Sequence, residues 1–246
     1  MKAFASLFRR QLTAYFYSPM AYVTMAIFLV VSGLSFFRMI LQSLEQRMQI
    51  GDLMFGSVFF WFVVLVAITL ITMHLFAEEK RIGTIEVLLT APVTDTQVVM
   101  AKYFGALTFF VLVCTPTVLY VVIIRVFCLN VGSLDIVPVI TGYFVFLLIS
   151  ACCIAFGLFV SSLTRSQVVA GMICFAGICM AFFSDSFQYI APGRSVEIIL
   201  GQVSSVQHIM DFSQGIVDTR PVVLYLSGAI FFLFATVKVI EARQWK

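Results

Sequence analysis

Residues 53–77 read LMFGSVFFWFVVLVAITLITMHLFA, a run without Lys, Arg, Asp or Glu. A helix needs about 20 predominantly apolar residues to cross the hydrocarbon core of a bilayer. This run exceeds that length, so Leu53–Ala77 reads as a membrane span. Other long apolar runs, each with at most one charged residue, lie on both sides of it, at Pro19–Leu41, Val98–Ile124, Val137–Ser161, Gln167–Ser184 and Val222–Ile240. Gln167–Ser184 is the shortest of these. The expected fold is all-α and integral to the membrane: six transmembrane helices in one transmembrane domain over residues 1–246. Pro19–Leu41 is too long for a signal peptide, and no small-residue cleavage site follows it.

Composition agrees. Hydrophobic residues make up 62% and charged residues 11%, with a mean hydropathy of +1.08. A soluble domain carries roughly 25% charged residues, and a chain this apolar could not cover itself with polar surface in water. The net charge of +3 is too small to argue for nucleic acid. The six cysteines, Cys114, Cys128, Cys152, Cys153, Cys174 and Cys179, lie in or beside apolar runs, form no CxxC pair and read as small apolar residues.

The cations set the topology. With the N-terminus inside, the cytoplasmic segments hold Lys2, Arg9, Arg10, Lys80, Arg81, Lys102, Arg165, Lys238, Arg243 and Lys246. The outer segments hold Arg38, Arg47, Arg125, Arg194 and Arg220. Ten against five puts both termini in the cytoplasm, as an even number of spans requires.

Residues 1–18 have a different pattern. Phe4, Leu7, Phe8, Leu12 and Tyr15 recur at helical spacing, with Ser6, Arg9, Arg10 and Thr13 on the other side. That is an amphipathic helix for the cytoplasmic membrane surface, apolar face down and Arg9 and Arg10 turned up towards lipid phosphates. Pro19 suits a first helical position. In the fourth span, Cys153, Gly157 and Ser161 repeat every four residues and mark a close helix–helix face, within the subunit or between subunits. In the third, Pro116 removes a backbone hydrogen bond and should bend the helix.

The loop 78–97, EEKRIGTIEVLLTAPVTDTQ, is the most specific feature. Charges open it, and Gly83 permits a sharp turn. Thr84 can cap a short helix from Ile85 to Thr90, with Glu86 in its first turn, where the helix dipole favours a carboxylate. Pro92 stops that helix. Thr94-Asp95-Thr96-Gln97 fits a capping box opening the next span. Ile85, Val87, Leu88 and Leu89 are too apolar for a solvated loop. They pack either on this chain's own helix ends or in a groove on a soluble partner.

The pattern Glu-Glu-Lys-Arg-x-Gly-Thr-x-Glu-x-Leu-Leu-Thr-x-Pro-Val resembles the coupling-helix segment of ABC-2 type transporter permeases, most of all the gliding-motility-associated permease subgroup of bacteria. Residues 8–19, FRRQLTAYFYSP, resemble that group's interfacial helix, and Val203 to Lys246 resemble its last third, with His208, Phe212, Gly215, Asp218 and Arg220 in place. The resemblance implies a permease subunit of an ATP-driven transporter, an exporter, in the bacterial inner membrane. It implies a second permease subunit, identical or not, and a separate ATPase subunit that binds ATP and Mg. It assigns Glu78, Glu79, Gly83, Thr84, Glu86, Leu88, Leu89 and Pro92 to the coupling element, with Glu86 and Leu88–Leu89 as the contact. It also implies outer gate helices in the segment 185–221, with Val203, His208 and Phe212. By itself that segment is too long for a turn and too interrupted to span, and suits short amphipathic or re-entrant helices.

No cofactor is expected in this chain. There is no GxxxxGK[ST] phosphate loop, no HExxH and no GxSxG, which argues against an ATPase or an intramembrane hydrolase. His208 and Asp211 share a helix face but are too few for a metal site, and His74 and Glu78 sit four apart on one face. No acidic residue lies mid-span, which argues against a proton relay. The alternative reading is a membrane scaffold that passes ATP-driven motion to a large outer-facing membrane protein without moving a solute, as related operons encode such a partner.

Overall fold

The computed structural model describes residues 2–43, 58–83, 94–127, 136–182, 184 and 204–242. Thr84, Glu86, Leu88, Leu89, Pro92, Cys128 and Val203 lie outside them, as does the expected helix Ile85–Thr90. The described residues form helices and no strand.

Helices begin and end where the sequence changes character. Helix α1 (Lys2–Tyr17) and helix α2 (Pro19–Ser43) are divided by Ser18 alone. Pro19 has no N–H to lose at a first helical position. Helix α3 (Val58–Met73) gives way to a turn at residues 74–76 and then to helix α4 (Ala77–Ile82). Gly83 ends α4 at φ +80°, a conformation open to glycine and strained for other residues. Helix α5 (Asp95–Phe127) runs through Pro116. Helix α6 (Ile136–Leu163) and helix α7 (Gln167–Phe182) follow. Helix α8 (Ser205–Ser213) starts at Ser204, whose hydroxyl accepts from the Gln207 N–H at 3.3 Å. Helix α9 (Thr219–Glu241) starts at Asp218, whose carboxylate accepts from the Arg220 N–H at 3.0 Å.

Among the described residues, five helical stretches are long and apolar enough to cross a membrane: Pro19–Arg38, Phe59–Ile82, Asp95–Ile123, Val137–Leu163 and Thr219–Glu241. Helix α7 is apolar but has 16 residues, roughly 24 Å at 1.5 Å per residue, against a core of about 30 Å. The expected span Gln167–Ser184 is an apolar helix in the right place, and among the described residues it is not one of those five. The sequence reading also put Glu78 to Arg81 at the start of a loop. They are helical, and Lys80 is buried.

Pairs of touching residues fix the helix directions. Phe60 meets Phe146 and Thr72 meets Gly157, so α3 and α6 run parallel. Cys152 lies at Gly228 and Phe156 at Phe232, so α9 runs with them. Phe28 meets Phe60, Lys102 meets Leu75, and Gly171 meets Met73 while Phe182 meets Trp61; α2, α5 and α7 therefore run the other way. The bundle has two ends, one carrying α4 and the close of α1, the other carrying α8.

Helix α3 is at the centre, with Val64, Leu65, Ile68 and Thr72 fully enclosed. Lipid tails are as apolar as leucine, so burial alone does not hold such helices together; close packing does. A Cβ on Gly157 would lie 2.4 Å from Thr72 Oγ1, so α3 and α6 approach at a distance that only glycine allows. The Cys153–Gly157–Ser161 repeat thus supplies a contact inside the subunit. The outer faces carry large apolar side chains, among them Val30, Leu119, Val223 and Phe231, each more than half exposed. In water this would be one extended hydrophobic patch; lipid accepts it.

Candidate functional site

The α4 end concentrates the charged side chains that the bundle encloses. Helix α3 cannot run on into α4 unbroken, because the turn at 74–76 leaves backbone N–H groups without intrahelical acceptors. Ser161 of α6 supplies one: its hydroxyl accepts from the N–H groups of Phe76 at 3.0 Å and Ala77 at 3.1 Å, and donates to the Met73 carbonyl at 3.3 Å. Lys80 Nζ donates to the Ser162 carbonyl. Helix α4 is thereby tied to the end of α6.

Lys102 of α5 ties it on the other side. Its ammonium donates to the Leu75 carbonyl at 2.6 Å, pairs with Glu79 Oε1 at 2.7 Å and lies 4.8 Å from the centre of the Phe76 ring. The Lys102 side chain is 6% exposed and that of Glu79 27%. An ion pair so enclosed is costly to break, because either partner alone would be left as a buried charge. His74 Nδ1 lies 3.5 Å from Glu78 Oε2, as the i,i+4 spacing implies.

Helix α1 closes over this junction. The Tyr15 hydroxyl donates to the Ile71 carbonyl at 3.0 Å, and its ring stacks on Phe109 at 4.7 Å. Burial pushes the Tyr15 phenol well above its ordinary value, so it remains a donor at physiological pH. Gln11 packs against Gly105, and Phe4 meets Phe104 edge-on. The apolar face of α1 thus rests on α5. Arg9 and Arg10 are exposed, and Arg10 lies at the edge of α1 beside Val98, Ala101 and Lys102 of α5.

The α8 end is built from neutral groups. His208 Nδ1 lies 3.0 Å from the Tyr225 hydroxyl, which donates to Ser205 Oγ at 3.0 Å. The Thr141 hydroxyl of α6 donates to the Phe212 carbonyl at 2.7 Å, and the Phe212 ring is buried. His208 and Phe212 are therefore structural supports of α8 against α6 and α9. Among the described residues no set of three His, Cys, Asp or Glu side chains converges. Cys114, Cys152, Cys153, Cys174 and Cys179 are free thiols.

Of the sequence-selected residues, Glu78, Glu79 and Gly83 share α4 and its cap, Arg9 and Arg10 lie on neighbouring α1, and His208 and Phe212 sit at the far end. Ser161 and Tyr15, which the sequence places on a close helix–helix face and on the apolar face of α1, hold this junction, a role their spacing does not reveal. Lys80 and Lys102, which the sequence places in cytoplasmic segments, are both inside the protein, 8% and 5% exposed. For Lys102 the signal was present: a lone cation inside an apolar run marks a functional position with a specific partner.

A family model described as ABC-2 family transporter protein matches residues 11–240. No curated protein matches the chain.

Proposed function

The chain belongs to the ABC-2 transporter family, and we propose on that basis that α4 with the segment after it receives the power stroke and that the Lys102–Glu79 junction passes it to the bundle. As a family member the chain is a multi-pass membrane protein, a permease component that works with an ABC ATPase subunit.

One observation supports the reading most. Helix α4 is fastened to α5 by an enclosed ion pair and to α6 by Ser161 and Ser162, while its exposed end leads through Gly83 into the segment holding Thr84, Glu86, Leu88, Leu89 and Pro92. A push on that segment would reach two spanning helices through short, stiff contacts. Helix α1, seated on α5 and hydrogen-bonded to α3, would move with them.

In this reading α7 completes a sixth crossing, both termini are cytoplasmic, and α1 lies at the cytoplasmic surface of a bacterial inner membrane. A second permease, identical or different, supplies the other half of an export pathway. Helix α8 and the residues before it cap that pathway on the outside. The gliding-motility-associated subgroup is the family branch we favour, on the loop 78–97 and the C-terminal run. ATP and Mg belong to the partner.

The test is co-purification and ATP turnover. The permease should co-purify with an ATPase subunit, and Glu86→Lys should abolish ATPase stimulation while leaving the permease folded. Normal stimulation by Glu86→Lys would overturn the assigned contact.

A further inference from the structure

A cavity of about 270 Å³ opens between α1, α2, α3 and α4, beside the Lys102–Glu79 pair. One side is apolar: Ala21 and Leu70 lead towards Met20, which is 44% exposed on the outer surface of α2. The other side is polar, with Ser18, His74, Glu78, Glu79 and Lys102. Several nearby polar groups are already engaged: the Tyr15 hydroxyl on Ile71 and the Thr24 hydroxyl on the Met20 carbonyl.

The groups still available define a ligand. Both ring nitrogens of His74 are shielded and make no hydrogen bond, Nδ1 having only the Glu78 carboxylate at 3.5 Å, an arrangement that costs free energy unless something enters to pair with them. A neutral imidazole offers one donor and one acceptor. Glu78 is a carboxylate at the mouth, 43% exposed. Lys102 has two of its three N–H donors on Leu75 and Glu79. The cavity therefore presents acceptors, at Glu78 and one His74 nitrogen, beside donors, at the other His74 nitrogen and Lys102. Among the residues that line the cavity, Lys102 offsets Glu79, and Glu78 is the remaining charge.

We propose that this cavity binds a phosphoethanolamine group, the headgroup of a zwitterionic membrane lipid. Its primary ammonium meets Glu78 and the accepting nitrogen of His74. Its phosphate meets Lys102 and the donating nitrogen. The lipid's glycerol and chains leave along the apolar side past Met20. A choline headgroup has no N–H to donate, and a glycerol headgroup brings no cation for Glu78. The inference rests on the reading that places α1 at the cytoplasmic membrane surface. It does not rest on the ATPase contact. Helix α1 then closes over the lipid as a lid, and occupancy stiffens the junction that α4 drives.

The test is native mass spectrometry of the permease–ATPase complex released from nanodiscs of mixed phosphatidylethanolamine, phosphatidylcholine and phosphatidylglycerol. Phosphatidylethanolamine should be retained about tenfold over phosphatidylcholine, the discrimination expected when a charge-assisted hydrogen bond is lost. Glu78→Gln should remove that preference. Glu241→Gln, at a carboxylate 40% exposed on α9, should keep it. A second arm presents soluble glycerophosphoethanolamine to complexes in phosphatidylcholine nanodiscs. Binding in the first arm alone identifies the lipid as source; binding in the second as well shows that the headgroup suffices. Equal retention of the three lipids with no soluble binding, or an unchanged preference in Glu78→Gln, overturns the proposal. The same spectra count ATPase subunits, so lost lipid selectivity with the ATPase still bound is distinct from failure of the coupling reading.

Discussion

The two ends of the bundle are held by different chemistry. At the α4 end an enclosed ion pair, Lys102–Glu79, joins α4 to α5, and Lys102 of α5 and Ser161 of α6 brace the turn that precedes α4. At the α8 end a phenol, an imidazole and two hydroxyls do the joining. Neutral hydrogen bonds contribute roughly 1 kcal/mol each and exchange partners readily, whereas an enclosed ion pair penalises every state that separates it. The difference teaches which end can carry force. The α4 end is built to stay together with the helices it touches, and the α8 end to shift its contacts with little loss, which suits the input and the outer cap proposed for them.

This contrast can be broken by substitution. Lys102→Met strands the Glu79 carboxylate and should cost about 3 kcal/mol in detergent-solubilised thermal unfolding, with much of it regained in the Lys102→Met/Glu79→Met double variant. An unchanged melting profile for the single variant would place the pair in solvent. Gly157→Ala pushes α6 off Thr72 and should cost about 2 kcal/mol, the scale of overpacking in a filled interior. Ser161→Ala leaves the Phe76 and Ala77 N–H groups without their acceptor and should cost about 1.5 kcal/mol. It should also raise hydrogen exchange at those two amides, which a general loss of packing would not single out. Tyr225→Phe at the α8 end should cost least, about 1 kcal/mol. If Tyr225→Phe proved as damaging as Lys102→Met, the contrast between the two ends would be wrong.

Much of this fold is legible in the sequence, for a physical reason. Lipid demands long uncharged helices, so the expected span Val98–Ile124 lies inside the observed α5, Asp95–Phe127, and Val137–Ser161 matches Ile136–Leu163 to within two residues at each end. The Cys153–Gly157–Ser161 spacing announced a close helix face, although only the structure shows that α3 covers it. The site was less legible. Glu78 and Glu79 stood out as charges, but an ion pair across more than 20 residues of chain leaves no periodicity to read. Lys102 was hidden by the habit of counting cations as surface anchors.

The central claim is that the α4 end meets the ATPase and the α8 end does not. Ile82 and Ile216 test it as a matched pair, being 62% and 59% exposed at opposite ends. A photo-crosslinking amino acid at each position, in the reconstituted complex, gives the most direct measurement. The account predicts a covalent adduct with the ATPase subunit from position 82 and none from position 216. An ATPase adduct from position 216 with none from position 82 would contradict it.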